Sequence, residues 1–421
     1  MKRSERKIQS AANWQFILGL LCVVFLVASG ILLAEKINDS VKIKAKSTKT
    51  SIVQKKKTSS SPNGVQTARI MANGDLLYHD LLYMSALQSD GTYDFTENYQ
   101  YVKPWLKKAD LVLGDFEGTI RPNYPLAGYP LFNAPESVVS AIKDAGYQVV
   151  DLAHNHILDS QLEGVFSTAK AFEQHGITPI GVYTHENRDK SSLVIKKVNG
   201  IKIALLAYSY GFNGLEENIS QADYNHHLSD LNEEKMKKEI KQAEKEADIT
   251  VVMPQMGVEY QLEPTQEQKT LYHKMIEWGA DIIFGGHPHV VEPSEVVTQN
   301  GQKKFIIYSM GNFISNQRIE TMDGVENKKW TERGVLMDVT VEKSKKGTII
   351  KEVQAHPSWV SRVAKGTYSP EGYPLYTYQT YILEDFIEGG KYRNQLDQAT
   401  KERIDTAYQE MNEHVNLKWD E

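Results

Sequence analysis

The sequence predicts a layered α/β (α+β) domain with mixed sheets, preceded by one N-terminal transmembrane helix. Three observations predict it. From about residue 67, short apolar runs alternate with amphipathic helical stretches, the pattern of strands covered by helices. Two Asn-Gly pairs, at 199–200 and 300–301, each join a Lys-rich polar run to an apolar one, a strong hairpin signal. Residues 16–34, FILGLLCVVFLVASGILLA, form an uncharged run of 19 residues. At a rise of about 1.5 Å per residue, that run nearly spans a hydrocarbon core of roughly 30 Å.

In chain order, the basic residues Lys2, Arg3, Arg6 and Lys7 mark residues 1–15 as a cytoplasmic N-terminus by the positive-inside rule. The run 16–34 is then a single-pass anchor in the cell membrane, and the rest of the chain is extracytoplasmic. A cleaved signal peptide or a lipoprotein signal is the alternative. The run is longer than a usual signal core, and Leu21 precedes Cys22 where a lipobox needs a small residue. Residues 35–66, containing KSTKTSIVQKKKTSSSPNG, carry too few large apolar groups to offset their ordering entropy and read as a flexible tether.

Residues 67–360 form the expected domain. ARIMANGD, ADLVLGD, YQVVDLAH, IKIALLAY, ITVVMPQ, ADIIFGG and KFIIYSMGN are its strand candidates, and 335–356 adds further strands. SVVSAIKDAG, 231–247 and 265–278 are helix candidates, the last opening with the Thr265/Gln268 spacing of a capping box. Residues 361–421 are expected to be a peripheral extension, helical and acidic toward its end. A net charge of −6 gives no reason to expect nucleic acid as a partner. The lone Cys22 excludes a thiolate zinc site, so any metal must be held by His, Asp, Asn or Glu.

Nearly every apolar run ends in a metal-competent residue: Asp75, then Asp115 and Glu117, then His154, Asn155 and His156, then His287 and His289, then Asn312. Ligands in open α/β sheets bind outside the carboxyl ends of the strands, so these ends are expected to share one site. GGHPH is the most informative piece. Glycine permits close backbone approach, and Pro288 fixes the backbone between two imidazoles. The other histidines, among them His79, His175, His185, His273 and His356, have no such context and are read as surface or structural. Tyr124, Tyr129 and Phe132, in a proline-containing loop near Asp115, read as packing residues with substrate contact as the minority alternative.

The segments GDLLYHD, ADLVLGDFEG, LAHNHILD, MPQMGVEY, GGHPHVVEP and YSMGNF together resemble the CapA-type capsule synthesis proteins. These are poly-γ-glutamate synthesis and export accessory proteins whose domain is similar to the calcineurin-like metallophosphatases. The resemblance covers roughly residues 68–315 and implies a metallophosphatase-like β-sandwich flanked by helices, with loop ligands at one edge. It implies that Asp75, Asp115, Glu117, Asn155, His287 and His289 hold one or two divalent ions, Mn, Fe or Zn by donor type. It gives His156 the catalytic part of serving the leaving group, and Gln255, Glu259 and Asn312 are expected to contact substrate. Two positions depart from the pattern. Leu77 stands where the phosphatases have a histidine, and Gln255-Met256-Gly257 replaces the family's His-Trp-Gly.

The function expected from this resemblance is capsule biosynthesis: aiding synthesis, export or anchoring of an anionic polymer such as poly-γ-glutamate. The expected partners are the membrane, that polymer, and other membrane subunits of a synthesis and export complex. The chain has no phosphate-binding Gly-Lys-Ser/Thr loop, so nucleotide chemistry would belong to those subunits. The alternatives are a metal-dependent phosphoesterase acting on a cell-envelope phosphate ester and a non-catalytic scaffold with a decayed site.

Overall fold

Burial on both faces is why the strands read as continuous apolar runs. A computed structural model describes residues 64–184 and 193–420. The expected cytoplasmic N-terminus, the anchor at 16–34, most of the tether and His185 lie outside the described residues. Among the described residues, no helix is long and apolar enough to cross a membrane.

The strands are β1 (Gln66–Leu77), β2 (Leu111–Glu117), β3 (Val149–Asp151), β4 (Thr178–Ile180), β5 (Val194–Val198), β6 (Ile201–Ser209), β7 (Ile249–Gln255), β8 (Ile282–Phe284), β9 (Ser294–Gln299), β10 (Gln302–Ile307), β11 (Asn312–Ile314), β12 (Arg333–Ser344), β13 (Gly347–Tyr368) and β14 (Pro374–Ile382). One sheet runs β14-β13-β12-β1-β2-β3-β4, with β11 also paired to β1; the other runs β5-β6-β7-β8-β10-β9. Strands β1 to β4 are mutually parallel, as are β6, β7, β8 and β10. Hairpins supply the antiparallel edges β5 and β9. Their turn residues Asn199-Gly200 and Asn300-Gly301 all take positive φ, as a type I′ turn requires.

The two sheets pack face to face. Ile70, Ala72, Leu113 and Val149 of the first meet Leu205, Ala207, Val251, Met253, Phe284 and Ile307 of the second. The alternate side chains point outward and are covered by helices. Met71, Val112 and Val150 lie under the helices Ser137–Ala145 and Gln161–Gln174. Leu206, Val252, Ile283 and Ile306 lie under Glu233–Glu246 and Gln266–Trp278. The last of these opens with the capping box expected at Thr265 and Gln268.

Two expectations for the C-terminal part need correction. The boundary at residue 360 falls inside β13, and β14 extends the first sheet to Ile382, so residues 361–382 belong to the sheet. The C-terminal part is not peripheral either. Helix Gln398–Val415, capped by Asp397, buries Ile404, Ala407 and Met411, and Met411, Val415 and Trp419 join the inter-sheet core. The low apolar density of 383–421 concealed this because the helix buries only one stripe.

The strand β13 also carries His356, whose ring packs on Trp105 at 4.7 Å and pairs with Glu384 at 2.8 Å and Asp338 at 3.6 Å. Burial works against the imidazolium, but the two carboxylates carry the group from 6.5 up to about 9. A raised folded value means the stabilisation is complete below the unfolded value and is lost as pH rises through about 9. His356→Gln should therefore lower the unfolding free energy by about 2 kcal/mol near about pH 6, shrinking toward zero by about pH 10. Urea titration of both proteins at the two pH values measures this, and a pH-independent difference would show that the pair carries no charge.

Candidate metal centre

The inward-facing rows of the two sheets end in polar side chains where the apolar layer stops. On β2 the inward parity of Leu113 continues to Asp115 and Glu117, and on β3 that of Val149 continues to Asp151. Strand β1 needs a correction of parity, because Ile70 and Ala72 face inward and Asp75 would otherwise face out. A bulge between Ala72 and Asp75 inserts one residue, pairs Asp75 with Asp115, and sends Leu76 outward into the helix-covered core. Gly74 sits in that bulge. A Cβ there would lie 1.9 Å from the carbonyl oxygen of Gly311, so only glycine fits.

The pairing Asp75↔Asp115↔Asp151 thus sets three carboxylates in register across three adjacent strands, with Asn312 of β11 next to Asp75. The second sheet closes on this row from the opposite side. Gln255 continues the inward parity of Val251 and Met253, and Gly286 that of Ile282 and Phe284. A Cβ on Gly286 would stand 2.8 Å from Asp115 Oδ2 and 3.7 Å from Asp75 Oδ1.

The loop after Gly286 presents the two imidazoles. His287 and His289 both hold positive φ, 98° and 57°, conformations that bulky residues keep only when surroundings enforce them. The enforcing contacts are Tyr260 N–H to the Pro288 carbonyl, Asn312 Nδ2 to the His289 carbonyl and Ser309 Oγ to the Val290 carbonyl. His289 Nδ1 bonds Asp75 Oδ2 at 2.8 Å, and its Nε2 lies 3.8 Å from Glu117 Oε1. One ligand atom each from Asp75, Glu117 and His289 fall within 4.8 Å of one another. His156 Nε2 approaches Glu117 at 3.9 Å. The His287 ring is 6.1 Å from that of His289.

Asp75, Asp115, Glu117, Asn155, His156, Gln255, His287 and His289 are all buried. Several of their atoms lack a hydrogen-bond partner within the protein: Asp75 Oδ1, Asp115 Oδ1, both Glu117 oxygens, Asn155 Oδ1, Gln255 Nε2 and His287 Nδ1. Unpaired buried acceptors cost of order 1–3 kcal/mol each, so a cluster of them at one point needs a cation or protons. Burial, then Asp151, Asp75 and Glu117, push Asp115 well above the carboxylate range. Burial likewise lifts Asp151. Burial lifts Glu117 to about 7 against the pull of His289 and His156. His287 falls to about 3 through burial and the neighbouring imidazoles, leaving a neutral ring. His289 rises to about 10, since Glu117 and Asp75 outweigh its burial. Oxygen and imidazole donors of this kind fit a divalent cation such as Mn, Fe or Zn.

The remaining expected site residues have different parts. Gln255 Oε1 accepts the Asn155 backbone N–H at 2.9 Å, so the residue standing where the family has histidine anchors the Asn-His loop. Leu77 is a buried inward neighbour of Glu117, closing that flank with hydrocarbon. Asn312, expected at the substrate, directs its amide to the carbonyls of His289 and Thr331 and to Gln317, a supporting part. Glu259 is exposed at the mouth, within electrostatic reach of Glu117 and His289.

Four residues of this region were not anticipated. Asp151 completes the aspartate row, and its signal was the same apolar-run-then-aspartate pattern that marked Asp75 and Asp115. Asp159 accepts from His156 Nδ1 at 2.7 Å and from the Phe132 backbone N–H, fixing the imidazole. His79, read as structural or surface, is partly buried beside the site. It packs edge-on to Phe132 at 5.2 Å, is lowered to about 3 by burial and by His289, and accepts from Asn316 N–H. Phe132 also packs edge-on to His156 at 4.8 Å, whereas Tyr129 is 79% exposed. Tyr210 covers His287 with ring centroids 4.5 Å apart.

Among known proteins, the chain is similar to the capsule biosynthesis protein CapA of Bacillus anthracis, 34% identical over 229 residues, which is 52% of this chain and 54% of that protein. It is similar to the PGA biosynthesis protein CapA of Bacillus subtilis, 34% identical over 228 residues, 52% of this chain and 57% of that one. The match thus spans about half the length of these relatives. Solved structures it resembles include a phosphatase from Mycoplasma pneumoniae, 13% identical with a TM-score of 0.43, covering 70% of this chain and 94% of that one. Another is the calcineurin-like phosphoesterase YfkN from Bacillus subtilis, 15% identical with a TM-score of 0.42, covering 70% and 90%. At TM-scores this low, these overlaps assign no activity. The family model of the bacterial capsule synthesis protein PGA_cap matches residues 69–317, more than half of the 421, and the chain belongs to that family.

Proposed function

We propose that the chain is an extracytoplasmic capsule-assembly protein on a single-pass membrane anchor. It aids synthesis, export or anchoring of an anionic polymer such as poly-γ-glutamate, beside other membrane subunits, through a site holding one or two divalent cations. The observation that carries the metal part is the convergence of Asp75, Glu117 and His289 within 4.8 Å, at a buried point rich in unpartnered donors. Asp115, Asn155 and His287 extend the donor set beside it. Family membership supports the capsule role. The uncharged run 16–34 behind a basic N-terminus supports the anchor.

A second reading, a metal-dependent phosphoesterase acting on a cell-envelope phosphate ester, is favoured by one arrangement. Asp159 accepts a 2.7 Å hydrogen bond from His156 Nδ1 and Phe132 packs edge-on to the ring, leaving Nε2 turned toward Glu117. Burial opposes a charge on this imidazole, but the Asp159 hydrogen bond and Glu117 raise it, so Nε2 can hold a proton. A group so placed can deliver that proton to a leaving oxygen, a contribution of about 10²–10⁴ in rate. Bound cations would polarise a phosphoryl oxygen and acidify a water. Gln255 and the Asp159–His156 pair hold the loop that presents the donors, while Leu77 keeps water from its flank.

Two outcomes test these proposals. Purified protein incubated with Mn, Fe or Zn should retain about one to two equivalents by elemental analysis. If it hydrolyses an aryl phosphate, His156→Ala should keep the metal and lose at least about a hundredfold in kcat. Metal retention below about half an equivalent for all three ions counts against the centre. Separately, Gly286→Ala brings a methyl within 2.8 Å of Asp115 Oδ2, so that the carboxylate must shift. It should weaken metal binding by about tenfold or more, on the scale of a disturbed ligand shell, with the circular dichroism spectrum unchanged. Unchanged affinity would remove Asp115 from the site.

A further inference from the structure

The rim of the centre has a chemistry of its own. Tyr210 is 46% exposed and lies against His287, while Tyr260 faces His289 with centroids 6.1 Å apart, so two phenol rings flank the histidine pair. Tyr129, 79% exposed, lies within electrostatic reach of Tyr260. Two carboxylates accompany the rings. Glu259 precedes Tyr260 and is exposed, and Glu216 follows Tyr210 across a short loop with its Oε2 buried and without a hydrogen-bond partner. Both act on the Tyr210 hydroxyl. Glu259 and Glu117 act on both Tyr210 and Tyr260, so negative charge surrounds the two phenols.

The backbone holds this rim in place. Tyr260 is a non-glycine residue at φ 66°, which costs of order 1–3 kcal/mol unless its surroundings impose it. Its N–H goes to the Pro288 carbonyl, its carbonyl takes Asn327 Nδ2, and its hydroxyl takes Gln317 Nε2. The Glu259–Tyr260 corner is therefore tied directly to the histidine loop and moves with it.

Three kinds of occupant can be compared. An anionic chain laid across the rim would be repelled by Glu259 and Glu216. An apolar group would offer Glu259 and Glu216 no opposite charge. An ammonium group satisfies the carboxylates and also gains from the faces of the tyrosines, roughly 0.5–2 kcal/mol for a cation over an aromatic ring. We infer that the rim formed by Tyr210, Tyr260, Glu216 and Glu259 binds an ammonium group of the substrate, whose anionic end occupies the metal centre. The substrate class is thus zwitterionic. The inference rests on the metal-centre proposal for the anionic end and on the rim alone for the cationic one. Two sources share the chemistry: an amino-alcohol phosphate, and the free amine end of a γ-linked glutamyl chain.

The test is calorimetry on the full chain loaded with Mn at fixed ionic strength. In the first arm, phosphocholine is compared with 3,3-dimethylbutyl phosphate, its isostere with an uncharged head group. In the second, a short γ-linked glutamyl peptide with a free amine is compared with the same peptide acetylated. The ammonium-bearing member should bind about tenfold more tightly in at least one arm, and the arm that shows it identifies the source. Glu259→Gln and Tyr210→Leu should each cut that ratio to about twofold or less with metal content unchanged. Glu259 is exposed, so its variant tests the rim even if Tyr210→Leu proves unstable. Equal affinities within both arms overturn the inference and leave the metal centre standing. Protein that takes up no metal overturns the centre instead, and the peptide arm then decides the rim by itself.

Discussion

Three aspartates in register on adjacent parallel strands are the constraint from which the rest of this molecule follows. Neighbouring strands lie roughly 4.8 Å apart, so the carboxylates of Asp75, Asp115 and Asp151 cannot separate without breaking the sheet. They also face inward, where the second sheet covers them. Moving a charge into such a place costs several kcal/mol, and like neighbours add to it. The protein meets this with imidazoles: His289 sits against Asp75 and Glu117, and His156 near Glu117. The same carboxylates that hold a proton on His289 are the donors a divalent cation would take. Cation and proton therefore compete for one set of oxygens.

The backbone is shaped to this requirement at both sheets. Without the bulge at Asn73–Gly74, Asp75 would point into the helix-covered core, and Leu76 would take its place among the acids. The bulge is fixed by Tyr147 Oη donating to Asn73 Oδ1 and by Asp75 N–H donating to the Gly311 carbonyl. Opposite, Gly286 leaves out the one side chain that would fill the space over Asp115. The strained φ values of His287, His289 and Tyr260 belong to the same edge, tied to one another through Pro288. Strain concentrated where donors converge is stored for geometry, because packing elsewhere in the sandwich would not need it.

Much of this was legible in the sequence. Runs such as ADLVLGD and ITVVMPQ announce strands buried on both faces, and their polar last residues announce a shared edge, because parallel strands place their carboxyl ends together. The Asn-Gly hairpins and the Thr265 capping box carry local rules that tertiary structure had no reason to override. What escaped depended on contacts between distant segments. The bulge is invisible in ARIMANGD, since Ile70, Met71 and Ala72 are apolar at both parities and carry no phase. Asp159 lies three residues beyond His156 and reads as a turn residue until the ring orientation is known. His79 looks isolated because Phe132, which brings it to the site, is 53 positions away. The boundary at 360 failed because β13 exposes much of its outer half, so its sequence loses the apolar signature while the strand continues.

The two departures from the family pattern gain physical content from this arrangement. Leu77 occupies the inward place next after Asp75, in register with Glu117, and fills it with hydrocarbon. Gln255 keeps one polar atom for structure, accepting the Asn155 N–H, and leaves its amide nitrogen, a donor rather than a ligand, unpartnered. The donors on offer are consequently unequal around the edge. Asp75, Glu117 and His289 form a tight group of two carboxylates and one imidazole, whereas Asp115, Asn155 and His287 stand beside it with a neutral amide as their other neighbour. A cation at the first group meets more negative charge at shorter range, and Coulomb energy falls with distance and with solvent access. Glutamine rather than histidine at position 255 therefore leaves the second group one imidazole short and does not touch the first. The buried carboxylates that would favour a cation are the ones the amide at 255 leaves in place.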